Sequence, residues 1–158
     1  MAVDVSALFA EYGMLPQVEA IALGGSRATG RNDATSDYDV YVYIAEPITE
    51  ATRRDILSKY PRESFCLATK LPGWAIKEKG KHTDELFNEQ LEKCGVDYFD
   101  FYLLHTITED NAENYLSKEY GLIPYLLKEK ENGRIRHLGF SVHSGFDCFE
   151  NFLKRCGE

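Results

Sequence analysis

The feature that most constrains this chain is the rhythm of its second part, where apolar runs of strand length alternate with amphipathic runs of helix length. Residues 65–69, 99–104 and 136–142 read as strands, rich in aromatic and β-branched side chains. Between the first two, Thr83 opens a helix that carries Phe87, Leu91 and Cys94 on one face and that Gly95 closes. Residues 111–120 and 122–131 read as helices, with Pro124 tolerated in a first turn where its missing N–H costs nothing. Asn132-Gly133 stops the second of these, and residues 146–155 give a last helix striped by Phe149, Phe152 and Leu153. Strand, helix, strand, helix, strand predicts an α/β fold with a parallel sheet and crossover helices.

The first part reads differently. A helix over residues 5–12, capped by Asp4 and ended by Gly13, precedes an apolar strand over Val18–Leu23. Gly24-Gly25-Ser26 turns into a short helix near residues 27–29, residues 39–44 form a second strand, and Thr49 caps a helix through Ser58. A Gly-Ser turn between strand and helix lets backbone N–H groups and a hydroxyl approach phosphate oxygens. Asp37 and Asp39, two apart at a strand start, share a face and suit a hard cation such as Mg²⁺ beside a triphosphate. Such ions clamp the attacking and leaving oxygens of an in-line displacement. Taken singly, each part is as easily a turn or a solvated strand cap; the order and spacing carry the functional reading.

Charge and cysteine content narrow the partners. With 26 acidic against 18 basic residues and a net charge of −8, both parts are acidic and neither carries a basic stripe or nucleic-acid groove. There is no apolar run of membrane-spanning length and no basic-then-apolar leader, so the expectation is a soluble, cytoplasmic chain with no membrane partner. Cys66, Cys94, Cys148 and Cys156 show no paired or zinc-type spacing; Cys66 and Cys94 fall in apolar patterns and read as reduced packing residues.

Over residues 5–58, the stretches IALGGSRATG and SDYDVYVYI resemble the polymerase-β-like nucleotidyltransferase superfamily. That likeness implies a nucleotide triphosphate partner, with Gly25 and Ser26 at its phosphates and Asp37 and Asp39 holding magnesium. The superfamily's third acid has no counterpart soon after Tyr60; Asp97 and Asp100, before a later strand, are the available stand-ins.

Lys70 and His105 each stand immediately beyond an apolar strand. In a parallel barrel both reach the C-terminal rim, where chemistry gathers. A lysine beside a proton donor, with a neutral histidine to orient a carbonyl, suits hydride transfer to a carbonyl. The plainer reading is a snorkelling lysine and a satisfied polar strand end. From residue 65 to 146 the segments CLATKLPGW, FNEQLEKCGVDYFDFYLLH and NGRIRHLGFSVHS resemble aldo/keto reductases, especially a bacterial subgroup with an appended cluster-binding domain. The resemblance implies that these are the third to fifth units of an eight-unit barrel. It also implies that Lys70 and His105 are two members of the family's Asp-Tyr-Lys-His tetrad, and that Ser141 is the serine near the nicotinamide carboxamide of NADP. Val142 stands where many members carry Asn, and no residue here is assigned to the tetrad's Asp or Tyr.

The expectation is therefore two incomplete enzyme cores, residues 1–58 and 59–158, joined near residues 53–60: a partial nucleotidyltransferase palm, then about three β/α units of a TIM barrel. Two N-terminal strands that pair with the later three would give one shared sheet, and open sheet edges would promote self-association. Function would be weak Mg²⁺-nucleotide binding. The alternatives are an NADP-dependent aldo/keto reductase fragment, with NADP binding and competent reduction not expected, and a non-catalytic α/β protein.

Overall fold

The computed structural model describes residues 5–34, 36, 38–79 and 82–157, without the side chains of residues 77–79. Asp4 and Asp37 lie outside the described residues. The chain divides into two compact units, Met1–Ser64 and Phe65–Glu158.

In the first unit, helix α1 (Val5–Gly13) lies against strand β1 (Val18–Leu23), and β1 pairs antiparallel with β2 (Val40–Ile44). The register sets Leu23 opposite Val40 and Ile21 opposite Val42, with an irregularity between Val18 and Ala20. A short helix α2 (Gly25–Ala28) leaves β1 directly. Helix α3 (Glu50–Leu57) starts at Thr49, whose hydroxyl accepts the Thr52 N–H at 3.2 Å. Glu11 of α1 takes the Lys59 ammonium at 2.6 Å and the Tyr60 hydroxyl at 3.2 Å, tying α1 to the chain after α3. These bonds, that of Lys59 foremost, hold the Glu11 carboxyl below its ordinary range. A single turn of 3₁₀ helix, Arg62–Ser64, ends the unit.

The second unit is a parallel sheet in the order β3 (Ala68–Leu71), β4 (Phe99–Ile107), β5 (Ile135–Val142). Helices α4 (Gly73–Lys79) and α5 (Thr83–Cys94) join β3 to β4. Helices α6 (Ala112–Leu116) and α7 (Leu122–Glu131) join β4 to β5, and α8 (Phe146–Cys156) follows β5. Gly95 ends α5 with φ +64°, a left-handed C-cap that glycine adopts without a Cβ penalty. The core lies between sheet and helices: Phe87 and Tyr102 meet edge to face at 5.1 Å, and Leu71, Phe99, Ile107, Leu126 and Phe152 are fully buried around them. The opposite sheet face carries exposed Ala68, Lys70, Phe101 and His137, the last two stacked at 4.9 Å.

The expected shared sheet is not formed: the strands divide into a two-stranded antiparallel and a three-stranded parallel sheet. The physical reason is burial. Strand β2 exposes Tyr41, Tyr43 and Ile44, as suits a half-solvated ribbon, whereas β4 buries Phe99, Asp100, Tyr102, Leu104 and Ile107 as a central parallel strand must. Smaller differences are local. The strand expected at 65–69 is shifted to 68–71. The cap of α5 is His82 rather than Thr83, and its capping box includes Glu85. Cys66 is exposed rather than packed, while Cys148 is the buried cysteine.

Candidate functional site

The rim above β3, β4 and β5 gathers three of the residues singled out from sequence. In the register, Lys70 stands opposite Leu103, while Leu104, just before His105, stands opposite both Leu71 and Phe140, just before Ser141. His105 and Ser141 are thus level on neighbouring strands. Lys70 lies two residues lower, so a strand spacing of ~4.8 Å and a rise of ~3.3 Å per residue put its Cα roughly 8 Å from that of His105.

His105 sits where β4 breaks step. The β4–β5 register shifts between Leu104 and Ile107, and Thr106 adopts φ +56°, a value that costs a β-branched residue on the order of 1–3 kcal/mol. Side chains hold the kink. The Ser141 hydroxyl accepts the Thr106 N–H at 3.0 Å and donates to the Leu104 carbonyl at 3.4 Å. The Asn111 amide donates to the Thr106 carbonyl at 2.8 Å, and its oxygen accepts the Thr108 N–H at 2.9 Å. The buried Tyr115 hydroxyl donates to the His105 carbonyl at 2.6 Å and accepts the Gly73 N–H at 3.0 Å. Burial raises the Tyr115 phenol above its ordinary range. This one oxygen therefore binds the turn after β3 to the end of β4, and Gly73 is what lets it approach: a Cβ there would lie 2.3 Å from the Tyr115 ring.

The Lys70 carbonyl is fixed from α5. Gln90 on α5 donates to it at 3.0 Å, and the Gln90 oxygen accepts the Tyr102 hydroxyl at 2.7 Å. Between these anchors opens a cleft of about 400 Å³, lined by Gly73, Trp74, His105, Asn111, Asn114 and Tyr115 among others. Lys70 is exposed at the rim and is not part of that lining. A histidine facing a half-apolar cleft beside amides, with a lysine on the next strand, can hold a carbonyl oxygen and pass it a proton.

Of the residues expected to hold magnesium, Asp39 is described. Gly25 adopts φ +63° and packs so closely on Asp39 that a Cβ would lie 1.8 Å from its carboxylate, so Asp39 does sit beside the Gly25-Ser26 turn. Its intended partner, Asp37, falls outside the described residues. Among those described, no group of three or more His, Cys, Asp or Glu forms a cation site. Asp100, the candidate third acid, is a structural group: it accepts the Leu67 N–H at 2.8 Å and pairs with Arg136 at 2.8 Å, tying β4 to β5 and to the residue just before β3. No described helix is long and apolar enough to cross a membrane.

A family model, the aldo/keto reductase family, matches residues 26–152. The chain belongs to the aldo/keto reductase family. Among curated relatives, the 4-dihydromethyl-trisporate dehydrogenase of Mucor mucedo is 34% identical over 73 residues, covering 46% of this chain and 21% of that protein. An aldo-keto reductase of Mycolicibacterium smegmatis is 33% identical over 93 residues, covering 59% of this chain and 31% of its own length. The chain thus spans between a fifth and a third of the curated relatives it matches. Among solved structures, an aldo/keto reductase from Brucella melitensis aligns with a TM-score of 0.52 at 24% identity, covering 69% of this chain and 40% of that one. A thermostable aldo-keto reductase, Tm1743, solved with the inhibitor epalrestat, gives a TM-score of 0.50 at 18% identity over 67% and 35%. Both show the fold alone, part of a TIM barrel.

These findings correct the expectation for the first part. The family match extends from Ser26 to Phe152, and nothing found supports a nucleotidyltransferase palm, a chimera or a magnesium centre. Among the described residues, the Gly25-Ser26 turn packs against Asp39, just before β2.

Proposed function

We propose that the second unit carries part of an NADP-dependent carbonyl-reduction site of the aldo/keto reductase type. The observation that carries this is the placement of Lys70 and His105 on the ends of adjacent parallel strands, with His105 opening on the cleft, inside a segment that matches the family. His105 orients the carbonyl oxygen, and Lys70 sets positive charge beside the group that protonates it. Trp74 and Tyr115 give the cleft an apolar wall for the substrate's hydrocarbon part.

NADP(H), when bound, supplies the hydride. The residue present for it is Ser141, and the donor inventory decides the fit. With one N–H accepted and its own proton directed to Leu104, the hydroxyl keeps one acceptor lone pair, which a carboxamide N–H can use. Ser141 would hold the carboxamide as an acceptor.

The test uses the whole chain. Imidazole resonances followed by NMR during titration with an aromatic ketone should show His105 responding and His137 unmoved. NADPH oxidation with the same ketone and a set of aldehydes should fall by about 10²-fold or more in Lys70→Met wherever turnover is seen. A ketone that leaves His105 unmoved, or turnover equal in the wild type and Lys70→Met, refutes the reading.

A further inference from the structure

Helix α8 buries Cys148 and Phe152 against the sheet and leaves an apolar edge outside. Phe146 is 73% exposed, Phe149 39% and Leu153 51%; spaced i, i+3, i+7, they form one stripe. The stripe is continuous. The Phe146 and Phe149 rings lie 6.0 Å apart, Phe149 leans on Phe140 of β5 at 5.8 Å, and Leu153 shares a groove with Leu127 of α7, itself 44% exposed. Weighting those exposures by ordinary side-chain areas gives roughly 400 Å² of apolar surface, within the size range of functional patches on a monomer.

The charges beside the stripe say what covers it. At 100° per residue, Glu150 and Lys154 fall on the same flank of the stripe, one turn apart, and they form an i,i+4 pair at 3.4 Å. Acidic Asp147 and Glu150 occupy the first half of α8, and basic Lys154 and Arg155 the second. A helix acidic at its head and basic at its tail is complementary to itself when reversed. Laid antiparallel about a two-fold axis, a flank meets its own copy, so Glu150 faces Lys154 of the second molecule and Lys154 faces its Glu150, with the helix dipoles opposed. In parallel, the two Glu150–Lys154 flanks would turn to opposite sides of the pair and not meet.

We propose that α8 is a homodimerisation surface, pairing antiparallel with α8 of a second copy of this chain through the stripe of Phe146, Phe149 and Leu153, with reciprocal Glu150–Lys154 ion pairs. Such an interface is isologous and closes at two copies. Its modest apolar area points to association at about micromolar concentrations.

Sedimentation velocity on the full chain, up to about 100 µM, tests this. The expected species is twice the chain mass of 18.0 kDa. Leu153→Asp should give the monomer. Glu150→Lys and Lys154→Glu each place like charges across the axis twice, and each should weaken the dimer about ten- to thirtyfold. Mixed together, these two variants restore opposite charges at both contacts and should recover dimer as a heterodimer, an outcome that general stickiness or misfolding does not produce. Circular dichroism of each variant, unchanged from the wild type, confirms the fold of these exposed positions. A wild-type monomer throughout the range, open-ended assembly in place of a discrete dimer, or a mixture no better than its components overturns the proposal.

Discussion

Replacing Tyr115 by phenylalanine removes one oxygen and keeps the ring that packs on Phe152 at 6.5 Å. The lost oxygen serves the Gly73 N–H at 3.0 Å and the His105 carbonyl at 2.6 Å, so the change deletes two hydrogen bonds and strands a donor and an acceptor near a buried position. Where the partner left behind is buried and unsatisfied, each lost bond costs about 1–3 kcal/mol. His105 lines a cleft that admits water, which relieves part of this, so the expected loss is about 2–3 kcal/mol. Urea unfolding followed by fluorescence isolates the effect, because the chain's one tryptophan, Trp74, sits on α4 beside the bridge. The midpoint should fall with the slope unchanged, and hydrogen exchange at the Gly73 amide should accelerate. Burial of the Tyr115 phenol sets a pH dependence. The folded phenol keeps its proton to higher pH than the unfolded one, so its contribution is whole below about pH 10 and is lost as pH rises beyond that. Tyr115→Phe should flatten that alkaline limb. A midpoint shift worth less than about 0.5 kcal/mol, with Gly73 exchange unchanged, refutes the bridge as the element that joins the two turns.

Three further outcomes follow from the same geometry. Gly73→Ala forces a Cβ into the Tyr115 ring and should cost about 1–3 kcal/mol in urea unfolding, with little further loss when combined with Tyr115→Phe because both act on one contact. Asp100→Ala strips the Leu67 N–H of its acceptor and Arg136 of its partner; breaking a buried carboxylate pair of this kind should cost about 3 kcal/mol, and the half-exposed Arg136 should keep the loss at the lower end of the 3–5 kcal/mol range. Tyr102, whose phenol burial raises well above the ordinary tyrosine range, should give up stability as pH climbs past about 10, and Tyr102→Phe should remove that part of the alkaline slope while loosening the Gln90 hold on Lys70, read as faster exchange around β3.

The elements legible in the sequence are those that a periodic apolar pattern fixes locally. Strand β1 and helix α7 lie where the pattern placed them, and α8 runs one residue beyond its expected end, because each carries its signal within its own residues. What failed depended on partners. Residues 65–67 are as apolar as a strand, yet β3 starts at Ala68, where pairing with Phe101 of β4 begins. Helix α4 has Gly73 at its first position, a weak helix former that is there to admit Tyr115 from 42 residues away. Lys70 and His105 were visible because polar residues that end apolar strands stand out, and Ser141 through the family resemblance alone. Tyr115 and Gln90, which hold His105 and Lys70 by their carbonyls, and Asn111, which holds Thr106, look in sequence like ordinary polar or aromatic residues of helices. Asp39 and the glycines before Ser26 carried a spacing that matched a phosphate turn, and the same spacing is what a close glycine-to-carboxylate contact requires.

The rim residues are held locally. Lys70 and His105 are fixed through main-chain carbonyls, by Gln90 and Tyr115, and both anchors lie within the β3–α6 stretch. Here the unfavourable φ of Thr106 is opposed by hydrogen bonds from Ser141 and Asn111, each formed inside the second unit. Strain is retained only where the surroundings over-determine it. It follows that removing Asn111 should release the kink more readily than any change on the far side of the sheet: Asn111→Ala should let Thr106 relax toward ordinary φ, widen the β4–β5 register shift and scatter the His105 NMR resonance, whereas Phe101→Leu on the exposed face should leave that resonance in place.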